Sequence, residues 1–183
     1  MFNPVIHSQT VLSGPACRLL LKGQGITLSI DTPGLIYAFI IGEHGDSEVA
    51  VWSSATVSGI AVRDFCDELG IVFTREQMDE IVRDVKNSAY EIIEKKGATF
   101  YAVALAIRRI AEALIRDEHS LLTVSGYCSG AYEIEDVCIG LPMILGRDGI
   151  ENIVEIPLNQ LEKDNLHESA NALKKILTDM GIN

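Results

Sequence analysis

Positive charge, membrane-length apolar runs and paired cysteines are all scarce in this chain. Fifteen Lys and Arg face 26 Asp and Glu, a formal net charge of −11. That balance excludes nucleic acid as a partner, because phosphates need a basic face. It equally excludes docking to an anionic membrane surface. The longest largely apolar run, Ala98 to Ile107, is ten residues, which suits a buried helix and is too short to span a bilayer. The four cysteines, Cys17, Cys66, Cys128 and Cys138, form no C-x-x-C pair, so no metal site is expected, and free thiols point to a cytoplasmic protein. The stretch Val11 to Cys17 has the outline of a lipoprotein cleavage site, but no charged start and no long apolar run precede it. No Gly-x-Gly-x-x-Gly is present, and Gly23-Gln24-Gly25 is an echo of one without a preceding strand.

What remains is a sequence of 183 residues that is 48% apolar, enough to bury a core as one domain. Residues 1–35 carry Pro4, Gly14, Pro15, Gly23, Gly25, Pro33 and Gly34 without sustained periodicity, and read as a loop-rich segment. From Ile36 the signals sharpen into a domain over 36–183. A strand over Ile36 to Ile41 is followed by two short helices between Glu48 and Leu69. Thr74 and Gln77 form a capping box for a long helix. Its apolar stripe is Met78, Ile81, Val82, Val85, Ala89, Ile92 and Ile93, and Lys95-Lys96-Gly97 ends it. A second helix from about Thr99 to Arg116 is apolar nearly all round as far as Ile107, which predicts burial. Strands follow at about Leu121–Tyr127, Asp136–Leu145 and Asn152–Ile156, the last two joined by a hairpin at Arg147-Asp148-Gly149. Asn159 and Glu162 cap a final helix with the stripe Leu166, Ala170, Leu173, Ile176, Leu177 and Met180. The fold class is α+β, antiparallel strands packed with long helices and no Rossmann domain.

Residues 42–46, Gly-Glu-His-Gly-Asp, are the segment built for chemistry. An apolar strand delivers one histidine, His44, between two glycines and two carboxylates. A histidine titrates near neutral pH and can donate or accept a proton there. Glu43 and Asp46 read as residues that shape and solvate the turn. They sit too close together on a strand end to surround an ion with His44. Trp52, the only tryptophan, reads as core or interface.

This run resembles the catalytic-histidine segment of the L-lactate dehydrogenase family. Residues 96–105 (KGATFYAVAL) and 126–149 (GYCSGAYEIEDVCIGLPMILGRDG) resemble the same family, in the same order. The likeness covers the second, catalytic-domain half of such an enzyme. It implies reduction of pyruvate to L-lactate with NADH, His44 giving the proton to the carbonyl oxygen. It further implies Thr99 against the substrate and Val103 against the nicotinamide ring of NAD, and a small 2-oxo or 2-hydroxy acid as substrate. The expected partners are further copies in a homo-oligomer, and a nucleotide-binding domain or a full-length lactate dehydrogenase. Alone, the chain is expected to hold no cofactor.

Three departures accompany the resemblance. Val5 to Leu12 is similar to the family stretch that leads into an active-site helix, where an aspartate follows the leucine and an arginine comes three residues later. Here those positions hold Ser13 and Ala16, which can neither orient the histidine nor grip a carboxylate with a two-pronged ionic hydrogen bond. Gly14 and Pro15 oppose a regular helix at that place. In members activated by fructose 1,6-bisphosphate, an arginine and a histidine bind the phosphates. Arg18 falls on the arginine position, but Tyr37 stands for the histidine, so half of the charge of that effector site is gone.

Overall fold

The computed structural model describes residues 36–97 and 100–181. The sequence expectations on residues 1–35, Ser13, Ala16 and Arg18 among them, and on Thr99 lie outside the described residues. The order of elements is β1 (Ile36–Ile41), β2 (Val49–Val57), β3 (Ile60–Ala61), α1 (Val62–Glu68), α2 (Arg75–Lys96), α3 (Phe100–Arg116), β4 (Ser120–Cys128), a 3-10 turn (Ala131–Glu133), β5 (Val137–Gly146), β6 (Gly149–Ile153) and α4 (Gln160–Asp179). The strands form two sheets of order β1-β2-β3 and β4-β5-β6, with β2–β3, β4–β5 and β5–β6 antiparallel. No described helix is long and apolar enough to cross a membrane. The described residues divide into two compact units, with the division falling inside β1 and β2. One unit holds residues 40–51 and 100–181, the other 36–39 and 52–97.

In the first unit β5 is the organising strand. It pairs antiparallel with β4 from Ser120 opposite Leu145 to Cys128 opposite Val137, and with β6 on its other side. Helices α3 and α4 both pack on it, which is why Ile139, Leu141 and Met143 are almost fully covered. Arg147 and Asp148 make the expected tight turn, with Gly146 paired to Gly149, so β6 begins at Gly149 and not at the expected Asn152. It also stops earlier than expected. The Ile156 N–H donates to the Tyr132 hydroxyl (2.6 Å) and that hydroxyl donates to the Ile156 carbonyl (3.1 Å). One phenol therefore takes both backbone groups that a ladder would have used. Burial pushes the Tyr132 hydroxyl up to about 12, so it stays protonated and keeps both roles.

The final helix α4 has the expected capping box. The Asn159 side chain accepts from the Glu162 N–H, and the Glu162 carboxylate accepts from the Asn159 N–H, both at 2.9 Å. Its stripe is buried only in the first half. Leu166 and Ala170 are covered, whereas Ile176 and Met180 are 53% and 68% exposed. The expected burial of α3 fails similarly. Ile110 and Ala113 are buried, but Phe100, Val103, Ile107 and Ile115 are at least half exposed. The division runs along the helix, not around it: Val103, Ile107 and Ile110 share one face at i, i+4 and i+7, but the first turns stand exposed and burial begins only at Ile110.

The expectation of two short helices between Glu48 and Leu69 is corrected. Residues 49–57 are strand β2, and only Val62–Glu68 is helical. Val49, Val51, Ala55 and Val57 are buried, a period of two that the β-branched residues support. The β2–β3 hairpin turns at Ser58 and Gly59, φ 52° and 84°, the pair of positive angles that matches strand twist. Helix α2 begins at Thr74 with the capping box to Gln77 and ends at Gly97, φ 81°. Ile81 and Val85 of its stripe are buried, while Ile93 is 46% exposed. Trp52 stacks edge-on against Phe73 at 5.4 Å, in keeping with a packing role.

One buried group has no hydrogen bond among the described residues: the Thr123 hydroxyl of β4, in a residue only 2% exposed. Leaving a hydroxyl dry and unpaired costs free energy. Thr123→Val keeps the β-branched shape and removes the hydroxyl. It is expected to raise the unfolding free energy by about 1 kcal/mol, read as a higher urea midpoint.

Candidate functional site

The turn after β1 is held at both ends. At its start, Gly42 exchanges two backbone hydrogen bonds with Gly140 of β5, Gly42 N–H to Gly140 C=O at 2.8 Å and the reverse at 3.0 Å. One residue on, the Glu43 N–H donates to the Ser169 hydroxyl of α4 at 2.7 Å. The Glu43 carboxylate accepts from the Ser47 hydroxyl at 2.8 Å and from the Ser47 N–H at 3.1 Å. Ser169 is fully buried, and its hydroxyl lies 3.3 Å from that of Ser47. Strand β2 then starts at Val49. His44 thus stands exposed on a short loop whose flanks, Gly42–Glu43 and Ser47–Val49, are fixed to β5 and α4. Glu43 shapes the turn, as its sequence context suggested.

The other expected site residues are less concentrated. Val103 lies on the exposed face of α3, itself 50% exposed. Tyr37, at the position where the effector-binding histidine would stand, is 56% exposed. Ser47, Ser169 and Gly140 were not anticipated. Ser169 sits three residues after Leu166 on the buried side of α4, so a polar residue inside an apolar stripe was the available signal.

A second polar cluster joins the end of α3 to the β5–β6 turn. The Asp117 carboxylate accepts from the Arg147 N–H at 2.8 Å. His119 Nδ1 lies 2.8 Å from Glu151, and its Nε2 lies 3.7 Å from Asp117. These three are the one group among the described residues whose acidic and imidazole ligand atoms all fall within 4.8 Å of one another. The hydrogen bond to Glu151 raises the His119 pKa above its ordinary 6.5, with the charges of Glu151 and Asp117 adding to it. A raised folded-state value means that this contribution to stability is fully present below pH 6.5 and lost as pH rises through the folded value. The stability deficit of His119→Gln relative to wild type is therefore expected to be larger at pH about 5.5 than at about 8.5. Urea titrations at the two pH values check it.

The described strands are followed by turns or by α1, with no glycine-rich strand-to-helix cradle for a pyrophosphate, and Val103 presents only an apolar side chain. Among the described residues no such cradle for NAD is formed.

Comparison with known proteins decides the family. The model of the lactate/malate dehydrogenase alpha/beta C-terminal domain matches residues 29–181. The chain belongs to that family. It is 46% identical over 180 residues to an L-lactate dehydrogenase of Acetivibrio thermocellus, covering 98% of this chain and 56% of that protein. It is 47% identical over 173 residues to L-lactate dehydrogenase 1 of Clostridium acetobutylicum, covering 94% and 54%. The crystal structure of MGS-M5, a lactate dehydrogenase from a Medee basin deep-sea metagenome library, superposes with a TM-score of 0.80 at 38% identity, over 97% of this chain and 55% of that one. A Cryptosporidium parvum malate dehydrogenase superposes with a TM-score of 0.79 at 28% identity, over 95% and 54%. The chain thus spans about half the length of the relatives it matches. The expected α+β lactate/malate dehydrogenase C-terminal fold is what the domain has.

Proposed function

We propose that this domain is the substrate side of an NAD-dependent L-lactate dehydrogenase-type site, silent by itself in the cytoplasm. It becomes competent only beside a nucleotide-binding domain contributed by polypeptide outside these 183 residues. The observation that carries the reading is His44, exposed at the end of β1 in a Gly-Glu-His-Gly-Asp turn fixed to β5 and α4, within a domain of this family. A protonated imidazole there can bind the carbonyl oxygen of a small 2-oxo acid and give it the proton that completes the hydroxyl. NADH, held by residues outside this domain, would supply the hydride. Thr99 would contact the substrate and Val103 the nicotinamide side.

Two features support silence of the chain alone. The first is that the described residues form no nucleotide cradle. The second is Ser13 and Ala16 at the positions that carry the aspartate and arginine in the family. In serine proteases the loss of an aspartate that orients a catalytic histidine costs about 10⁴-fold in rate. Loss of a charged hydrogen bond to substrate adds roughly 1.5–3 kcal/mol.

The test is NADH oxidation with excess pyruvate, first with the chain alone and then mixed with a lactate dehydrogenase nucleotide-binding domain. No rate alone and a rate in the mixture that His44→Asn abolishes is the expected result. A folded mixture without turnover sinks the catalytic reading.

A second reading is favoured by the open apolar face of α3. Phe100, Val103 and Ile107 are 66%, 50% and 55% exposed, and such a contiguous patch favours association. In that reading the domain serves as an oligomerisation module derived from the enzyme. Light scattering at micromolar concentration checks the homo-oligomer it requires, and a monodisperse monomer refutes it.

A further inference from the structure

The hydroxyl of Ser169 makes two polar contacts with the turn that carries His44. Its Oγ accepts from the Glu43 N–H at 2.7 Å. It also lies 3.3 Å from Ser47 Oγ. Ser47 has a single hydroxyl proton, and the Glu43 carboxylate, an acceptor only, takes it at 2.8 Å. The proton between the two serines therefore belongs to Ser169. The bonds then run in one direction: Glu43 N–H to Ser169, Ser169 O–H to Ser47, Ser47 O–H to the Glu43 carboxylate. The ring starts and ends on the residue that precedes His44, and its other corner lies three residues after it.

Such directed chains polarise one another, and a carboxylate terminus strengthens the last link. Two further observations show that the fold makes room for the ring. Ser169 is fully buried in α4, where an apolar residue would otherwise complete the stripe of Leu166 and Ala170. A Cβ on Gly42 would lie only 2.7 Å from Ser169 Oγ, so the absent side chain at Gly42 is what admits the hydroxyl.

We propose that Ser169 is a positioning residue: through the ring with Glu43 and Ser47 it transmits the position of α4 to the His44 turn and fixes the aim of the imidazole. This rests on the reading of His44 as the proton-transferring group.

The experiment uses the full chain as wild type, Ser169→Ala and Ser47→Ala. Removing a buried Oγ for a methyl leaves volume and helix propensity nearly intact, and Ser47→Ala opens the same ring away from α4, so at least one folded variant is secured. Two readouts need no catalysis. One is amide hydrogen exchange at Glu43, compared with Leu173–Lys175 of the same helix. The other is the rate at which diethyl pyrocarbonate acylates His44, compared with His119 and His167. In Ser169→Ala, exchange at Glu43 is expected to quicken about fivefold and the acylation rate of His44 to change at least about threefold, with the internal controls unmoved. Ser47→Ala should alter His44 acylation in the same sense. Unchanged Glu43 exchange in folded Ser169→Ala overturns the ring. Quickened exchange with unchanged His44 reactivity overturns the positioning role and leaves a structural bond. In the mixture with a nucleotide-binding domain, Ser169→Ala is expected to lower kcat roughly tenfold or more with KM unchanged. An equal fall shared with KM speaks against positioning. Wild-type turnover in that mixture decides the reading of His44 separately, so the two failures are told apart.

Discussion

Leu141→Ala is expected to lower the unfolding free energy by about 3–5 kcal/mol. Leu141 is fully buried at the centre of β5, opposite Val124, which is 2% exposed. The cost of truncating a leucine depends on how far its surroundings can collapse into the void. Here they can move little. β5 is hydrogen-bonded to β4 on one side and β6 on the other, helices α3 and α4 lie against it, and the neighbouring Gly140 is tied by two backbone bonds to Gly42. The cavity therefore persists and the cost falls in the upper part of the range. Leu145 is nearly as buried, at 4%, but stands beside a register shift between Ile144 and Leu145 near the end of the strand. There the backbone can relax, and Leu145→Ala is expected to cost about 2–3 kcal/mol. Urea denaturation of the two variants separates them. Equal losses would mean that the bracing of β5 does not limit collapse.

The parts of this fold that were legible in the sequence are those whose determinants lie within a few residues. Thr74 with Gln77 and Asn159 with Glu162 each announce a helix start, because a capping box is a contact between a residue and its third neighbour. The Arg147-Asp148 hairpin is equally local. The errors come from patterns that two structures share. Residues 48–69 contain enough apolar residues to sketch helices, and only the period of two at Val49, Val51, Ala55 and Val57 separates strand from helix there. The all-round apolar surface at the start of α3 predicts burial, yet a helix of this kind equally suits a face awaiting another surface. The site divides the same way. His44 was legible from its own turn, and the family resemblance gave it a role. Ser169 comes from a helix 126 residues beyond Glu43 in the chain, and no local rule connects a serine in an apolar stripe to a turn so far away.

Gly42→Ala is expected to cost about 2–6 kcal/mol. Two independent penalties meet at this position. Gly42 has φ 97°, a conformation that L side chains rarely adopt, at a cost of about 1–3 kcal/mol. The added Cβ would also lie 2.7 Å from Ser169 Oγ and 3.3 Å from Ser169 Cβ, inside a buried contact that cannot open without breaking either the Glu43–Ser169 bond or the Gly42–Gly140 bridge. Overpacking of that kind costs about 1–3 kcal/mol more. Gly97 isolates the first penalty. It has φ 81° and nothing within 4 Å of an added Cβ, so Gly97→Ala should lose only about 1 kcal/mol. Ser169→Ala isolates the second, since removing Oγ clears the nearer clash. In a double-mutant cycle the pair Gly42→Ala and Ser169→Ala is expected to lose less than the sum of the single losses, by about 1 kcal/mol or more. Urea midpoints for the four proteins measure that coupling. Strict additivity would show that Gly42 is required for its backbone angle alone, and that the close approach of α4 to the histidine turn does not depend on it.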